Sequence, residues 1–93
     1  MHVRWTDDAV SQLNDIVDFL APTSDSLAQR VALEIYNGAE SLGLFSFRGR
    51  RGPSPGTREL VLPASGYILT YEVVGDGVFI LGLHHGAEDR PQR

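Results

Sequence analysis

Residues 57–85 read TRELVLPASGYILTYEVVGDGVFILGLHH, and the reading of this stretch decides the fold. It holds runs rich in β-branched and aromatic residues, Thr57–Pro63, Tyr67–Val74 and Val78–His85, separated by Ala64-Ser65-Gly66 and Gly75-Asp76-Gly77. Glycine, serine and aspartate between such runs mark tight turns, so the stretch predicts a three-strand antiparallel meander. In the middle run Tyr67, Leu69, Tyr71 and Val73 fall on one face and Ile68, Thr70, Glu72 and Val74 on the other, because side chains alternate along a strand. The first set is expected to pack on helices. The same alternation groups Phe79, Leu81 and Leu83 against Val78, Ile80, Gly82 and His84. With apolar residues on both faces, that last strand is expected to be central or covered by a partner.

Upstream, His2–Trp5 reads as a short opening strand, and Thr6 offers an N-cap to a helix whose first turn carries Asp7 and Asp8, acids that favour a helix start. Ala9, Val10, Leu13, Ile16, Val17 and Leu20 recur at steps of three and four, the spacing of one helical face. The helix stops before Pro22. Thr23 or Ser24 then caps a second helix in which Leu27, Ala28, Val31, Ala32, Ile35, Ala39 and Leu42 repeat the pattern until Gly43. So short a connection makes the pair an antiparallel hairpin. The predicted class is α+β, a helical hairpin packed on an antiparallel sheet in the order β-α-α-β-β-β, as one domain over residues 1–93.

Composition narrows the function. No cysteine is present, which excludes disulfides and thiol chemistry and fits a reducing cytosol. No apolar run suits a membrane span or a signal peptide. The formal net charge of −4 hides a segregation: half of the eight basic residues, Arg48, Arg50, Arg51 and Arg58, lie within residues 48–58, which hold no acid. All are arginines, the side chain suited to planar contact with carboxylates and phosphates. Phe47–Gly56 is rich in Arg, Gly and Pro without periodicity, and reads as an exposed loop that is either merely solvated or contacts an anion or an acidic partner.

Other constellations have plainer readings. His2, His84 and His85 could be imagined with Asp89 as metal ligands, but adjacent strand residues diverge, so no metal is expected. Gly49, Gly52 and Gly56 lack the lysine of a phosphate loop. Ser65 before Gly66 reads as a turn, and Tyr67 and Tyr71 as sheet core.

In serial order, Trp5 before the acidic helix start, Tyr36 and Leu42 on the second helix, the Gly49–Gly56 loop and Thr57-Arg58-Glu59-Leu60 resemble the RelE/ParE superfamily of type II toxin-antitoxin toxins. Tyr67-Ile68-Leu69-Thr70-Tyr71-Glu72-Val73 is similar to its Y-x-x-x-Y-x-V strand, and Ile80–Ala87 to its closing I-L-x-V-x-H-x-x strand. The resemblance covers nearly the whole chain. It implies a cytoplasmic toxin without a cofactor, restrained by a cognate antitoxin and touching operator DNA only through it. Some superfamily members cleave ribosome-bound messenger RNA, whereas the ParE branch binds and inhibits DNA gyrase. For a nuclease, the groups implied are Arg58, Tyr71, His84 and His85, with the 48–51 arginines. The absence of lysine and the His85-Gly86-Ala87-Glu88-Asp89 ending, similar to the ParE branch's H-G-A-R-D, favour the gyrase inhibitor. Glu88 reverses the charge often found there. The resemblance then implies target or anion contacts at Arg48, Arg50, Arg51, Arg58, His85 and Arg90. A toxin kept only to bind its antitoxin is a third reading. Leu13, Val17, Leu20, Leu44, Phe45 and Phe47, with Ile35 and Leu42, exceed the needs of a thin core, so an antitoxin groove is expected among them.

Overall fold

Thr6 settles where the chain turns from its first strand into its first helix. Its hydroxyl oxygen accepts from the Ala9 amide at 3.2 Å and donates to the Ile80 carbonyl at 2.8 Å. One side chain thus caps the helix and ties it to the sheet. The computed structural model describes residues 1–88. Within them run β1 (His2–Trp5), α1 (Asp7–Leu20), α2 (Asp25–Ser41), β2 (Arg50–Arg51), β3 (Thr57–Val61), β4 (Tyr67–Val74) and β5 (Gly77–His85), then a 3-10 turn at Gly86–Glu88. Ser24, not Thr23, caps α2, accepting from the Leu27 amide.

The two helices pack on a five-stranded sheet of order β1-β5-β4-β3-β2. The β3-β4-β5 meander is antiparallel, with Leu60 opposite Leu69 and Leu69 opposite Leu83. β1 adds to it in parallel, Trp5 beside Ile80, so the sheet is mixed and β5 has strands on both sides. β3 stops at Val61, short of the expected Pro63, which has no N–H for the ladder. The arginine segment expected as loop contributes a strand of its own: Arg50 and Arg51 pair with Glu59 and Arg58. Two arginines carry no periodicity from which a strand could be read.

The core lies between sheet and hairpin, where Ile35, Ala39 and Leu42 meet Leu60, Leu69, Tyr71, Val78 and Ile80. Ile35 and Leu42 are therefore the members of the apolar surplus that the core absorbs, and they leave any antitoxin groove to the others. Leu69 and Tyr71 face the helices as expected. β5 departs from simple alternation. A register shift opposite Thr70 and Tyr71 leaves Leu81 without a partner, a β-bulge, and the face of every residue beyond it changes. Val78, Ile80 and Leu83 are consequently all buried, and Leu83 is not grouped with Phe79 as alternation alone had it. Past the end of β1, Gln12 on α1 accepts from the Leu83 amide at 2.7 Å. Among the described residues no helix is long and apolar enough to cross a membrane.

Candidate functional site

The arginines gather at one end of the sheet because of Tyr71. Its ring is wholly buried, yet its hydroxyl donates to the Ser46 carbonyl at 2.8 Å and accepts from the Gly49 amide at 2.9 Å. The Gly49 carbonyl in turn accepts from Arg58 at 2.7 Å. Both backbone groups of Gly49 are thereby fixed, and the segment between α2 and β3 is laid against the sheet. A Cβ at Gly49 would sit 2.7 Å from the Glu59 carbonyl oxygen and 2.8 Å from the Tyr71 ring, so only glycine fits there without displacement.

This anchoring distributes the four guanidinium groups. Arg48 donates to the Ser41 hydroxyl at 2.8 Å. Arg50 pairs with Glu59 at 3.1 Å, a carboxylate only 7 % exposed, and the pair occupies the sheet face turned from the helices. Arg58 lies over the Phe47 ring, 4.8 Å from its centre, within cation–π range. Arg51 is exposed opposite Arg58. Phe47, Arg51, Ser54, Thr57, Arg58 and Val73 border a groove of about 450 Å³ at this end.

The histidines are at the other end. His85 pairs with Tyr67 and meets its ring edge-on at 5.0 Å. The Ala87 amide donates to its Nδ1 at 3.0 Å, which requires a bare lone pair there and puts a ring proton on Nε2, 3.2 Å from the Ser65 carbonyl. Glu34 holds the same turn, accepting from the Ala64 and Ser65 amides at 3.0 and 2.9 Å. His85 lines an apolar cavity of about 410 Å³ with Phe19, Leu20, Leu27, Val31 and Tyr67. His84, opposite Ile68 and so on the alternate face by register, borders a second hollow of about 330 Å³, which His85 also lines, beside Gln12, Asp15 and Ile16 on α1.

The structure thus does not bring Arg58, Tyr71, His84 and His85 together. Arg58 stands opposite Tyr71, and His85 opposite Tyr67; the two tyrosines are four positions apart along β4, about 13 Å. Arg90 lies outside the described residues. Among the described residues no three His, Asp or Glu side chains are placed to hold a metal ion.

The residues expected to meet an antitoxin divide in two. Leu13 and Leu20 pack against the core, and Val17 is half-buried beside them. Leu44, Phe45 and Phe47 are 83 %, 64 % and 65 % exposed in the connection after α2. Sequence reasoning missed Phe19, 78 % exposed at the mouth of the apolar cavity. Its signal is an aromatic out of phase with the Leu13, Ile16, Val17 and Leu20 stripe.

A family model described as the ParE toxin of the type II toxin-antitoxin system parDE matches residues 3–90. The chain belongs to the ParE toxin family. The protein Y4kP of Sinorhizobium fredii is 33 % identical over 90 residues, covering 97 % of this chain and 93 % of that one. Toxin RelE2 of Caulobacter vibrioides is 35 % identical over 85 residues, 91 % and 94 % of the two chains. Among solved structures, a chain of the chromosomal ParDE toxin-antitoxin system of P. aeruginosa superposes with a TM-score of 0.80 at 24 % identity, covering 91 % of this chain and 95 % of that one. The isolated E. coli RelE toxin gives 0.59 at 16 % identity, with 98 % and 87 % covered. At these identities the structural likeness is one of fold. The ParE and RelE branches share the hairpin-on-sheet frame seen here, so the frame does not choose between their targets.

Proposed function

We propose that this ParE-family chain inhibits DNA gyrase by binding it, and that a cognate antitoxin restrains it in the cytoplasm. The observation that supports inhibition by binding over RNA cleavage is the separation of the reactive side chains. Cleavage of an RNA backbone at a 2′-OH needs a base, an acid and a cation converging on one phosphate. Here the Tyr71 hydroxyl is buried and committed to two backbone groups, and the histidines stand at the far end of β4 from Arg58. A binding surface has no such requirement. The exposed arginines of the Gly49 end, with the chain's last residues, are the surface we assign to the target.

The antitoxin is assigned to the apolar exposures, Leu44, Phe45 and Phe47 after α2 and Phe19 beside the cavity. Side chains of this size exposed together mark protein contacts.

The deciding experiment runs a purified gyrase supercoiling assay beside a ribosome-dependent message-cleavage assay, with Arg58→Ala and His85→Ala as controls. Inhibition of supercoiling that fades gradually across several arginine substitutions supports the proposal. Message cleavage that collapses at one of these positions, with gyrase untouched, replaces it by the ribonuclease reading. Growth unimpaired by expression without a partner replaces it by a chain that only binds its antitoxin.

A further inference from the structure

The pairing of β2 with β3 sets two arginines against each other. The Gly52 amide donates to the Thr57 carbonyl at 2.8 Å, so Gly52–Thr57 is a hydrogen-bonded position of the antiparallel ladder. Such positions alternate with non-bonded ones. The next pair, Arg51–Arg58, is therefore of the non-bonded kind, in which the Cα atoms approach to about 4.5 Å and both side chains rise from one face. Like charges placed directly opposite destabilise a strand pair. Neither guanidinium has a carboxylate within ion-pair distance among the described residues: Glu59 is on the other face with Arg50, and Glu72 shares that face by register.

Two further features belong to the same place. In a non-bonded pair the backbone N–H and C=O point away from the partner strand, so those of Arg51 point to the side of β2 where no strand lies among the described residues. Arg58 is already oriented, one of its five N–H donors held by the Gly49 carbonyl and its plane over Phe47. Little side-chain freedom remains to be lost there when an anion binds.

We propose that Arg51 and Arg58 form a carboxylate cradle for an extended acidic segment of a partner protein, laid along the open side of β2. A phosphate backbone would also suit two guanidinium groups. The peptide is favoured because the Arg51 backbone offers the hydrogen bonds that strand addition uses. It is favoured also because the chain's net charge of −4 repels a long polyanion, whereas a short acidic segment senses mainly the local arginines. The inference rests on the reading that an antitoxin restrains the toxin. It names the chemistry of the segment that reaches the arginine end, where that segment excludes the target by occupying the same side chains.

The test uses the full chain and fluorescein-labelled peptides in which Glu, or in the control Gln, alternates with Thr, read by anisotropy beside a short oligothymidylate. The Glu peptide is expected to bind, to weaken as salt rises from about 50 to about 300 mM, and to shift the Arg51 backbone amide in an NMR spectrum. Arg51→Gln, at an exposed position, should keep the melting temperature and lose about tenfold in affinity, the scale of one charge-assisted hydrogen bond. Equal binding of Glu and Gln peptides, no binding, indifference to Arg51→Gln, or tighter binding of the oligothymidylate each overturns the cradle. Growth arrest on expression without a partner tests the toxin reading separately, so the two can fail independently.

Discussion

Replacing Tyr71 with Phe removes one oxygen and leaves the ring, so the change isolates the tie that holds the arginine end in place. In the parent that oxygen serves the Ser46 carbonyl and the Gly49 amide, at 2.8 and 2.9 Å, and the side chain is fully buried. No cavity larger than a hydroxyl results, and the ring keeps its place among Ile35, Leu69 and Ile80. What is lost is satisfaction of two backbone groups, each costing about 1–3 kcal/mol when left unpaired in the interior. The Ser46–Gly49 segment lies near the surface and can shift to admit water, so the total should fall at about 2–4 kcal/mol. For a chain of this size each kcal/mol moves the melting temperature by roughly 4–8 °C, giving a fall of about 8–32 °C. Thermal unfolding followed by circular dichroism measures this. Hydrogen exchange locates it, with the Gly49 amide losing protection before the β4 and β5 amides. A melting temperature within about 2 °C of the parent, with Gly49 still protected, would refute the structural role. Loss of message cleavage at undiminished stability would assign the phenol a chemical one.

Gly49→Ala should disturb the same tie from the other side, because the added methyl meets the Glu59 carbonyl and the Tyr71 ring; a loss of about 1–3 kcal/mol in urea unfolding is expected. Glu34→Gln keeps the side-chain shape but replaces one of the two carboxylate oxygens that accept from Ala64 and Ser65; the β3–β4 turn should lose about 1–2 kcal/mol, seen as faster exchange at those amides. Phe45→Glu, at a position 64 % exposed, should change stability by no more than about 0.5 kcal/mol. It should weaken antitoxin binding at least tenfold in calorimetry, about 1.4 kcal/mol, and unchanged affinity removes this surface from the antitoxin contact.

The helices were legible because their signals are local: steps of three and four, Thr6 and Ser24 as caps, Pro22 and Gly43 as stops. The β3-β4-β5 meander was legible for the same reason. Gly66 and Gly75 adopt φ of 82° and 59° in its turns, a backbone region that glycine enters without a Cβ penalty. The bulge at Leu81 was not, since Phe79, Ile80 and Leu81 are all apolar and a one-residue slip leaves the pattern unchanged. Nor was β2, two arginines long, or the parallel placement of β1, which depends on how the hairpin returns the chain to the sheet. In the candidate site, the arginine cluster could be read from composition. Its organisation could not, because Tyr71 reaches backbone atoms of Ser46 and Gly49, more than twenty positions away in the chain. The Arg51–Arg58 juxtaposition likewise exists only once the register is known.

The two ends of the sheet are built on opposite electrostatic terms, and that difference carries the functional argument. At the histidine end the polar groups answer one another: Glu34 receives two amides, His85 bridges Ser65 and Ala87, and the remaining lining is apolar apart from Arg30 and Tyr67. At the arginine end the fold spends a neutral phenol and a glycine to anchor the segment, and only Arg50 among the four arginines there has a carboxylate partner among the described residues. An ionised carboxylate in place of the phenol could accept from the Gly49 amide but not donate to the Ser46 carbonyl, whereas the hydroxyl does both and adds no charge to offset the arginines. Arg58 is held by the Gly49 carbonyl and the Phe47 ring, but neither neutralises its charge. Among the described residues, the arginine end is therefore where an external anion gains most.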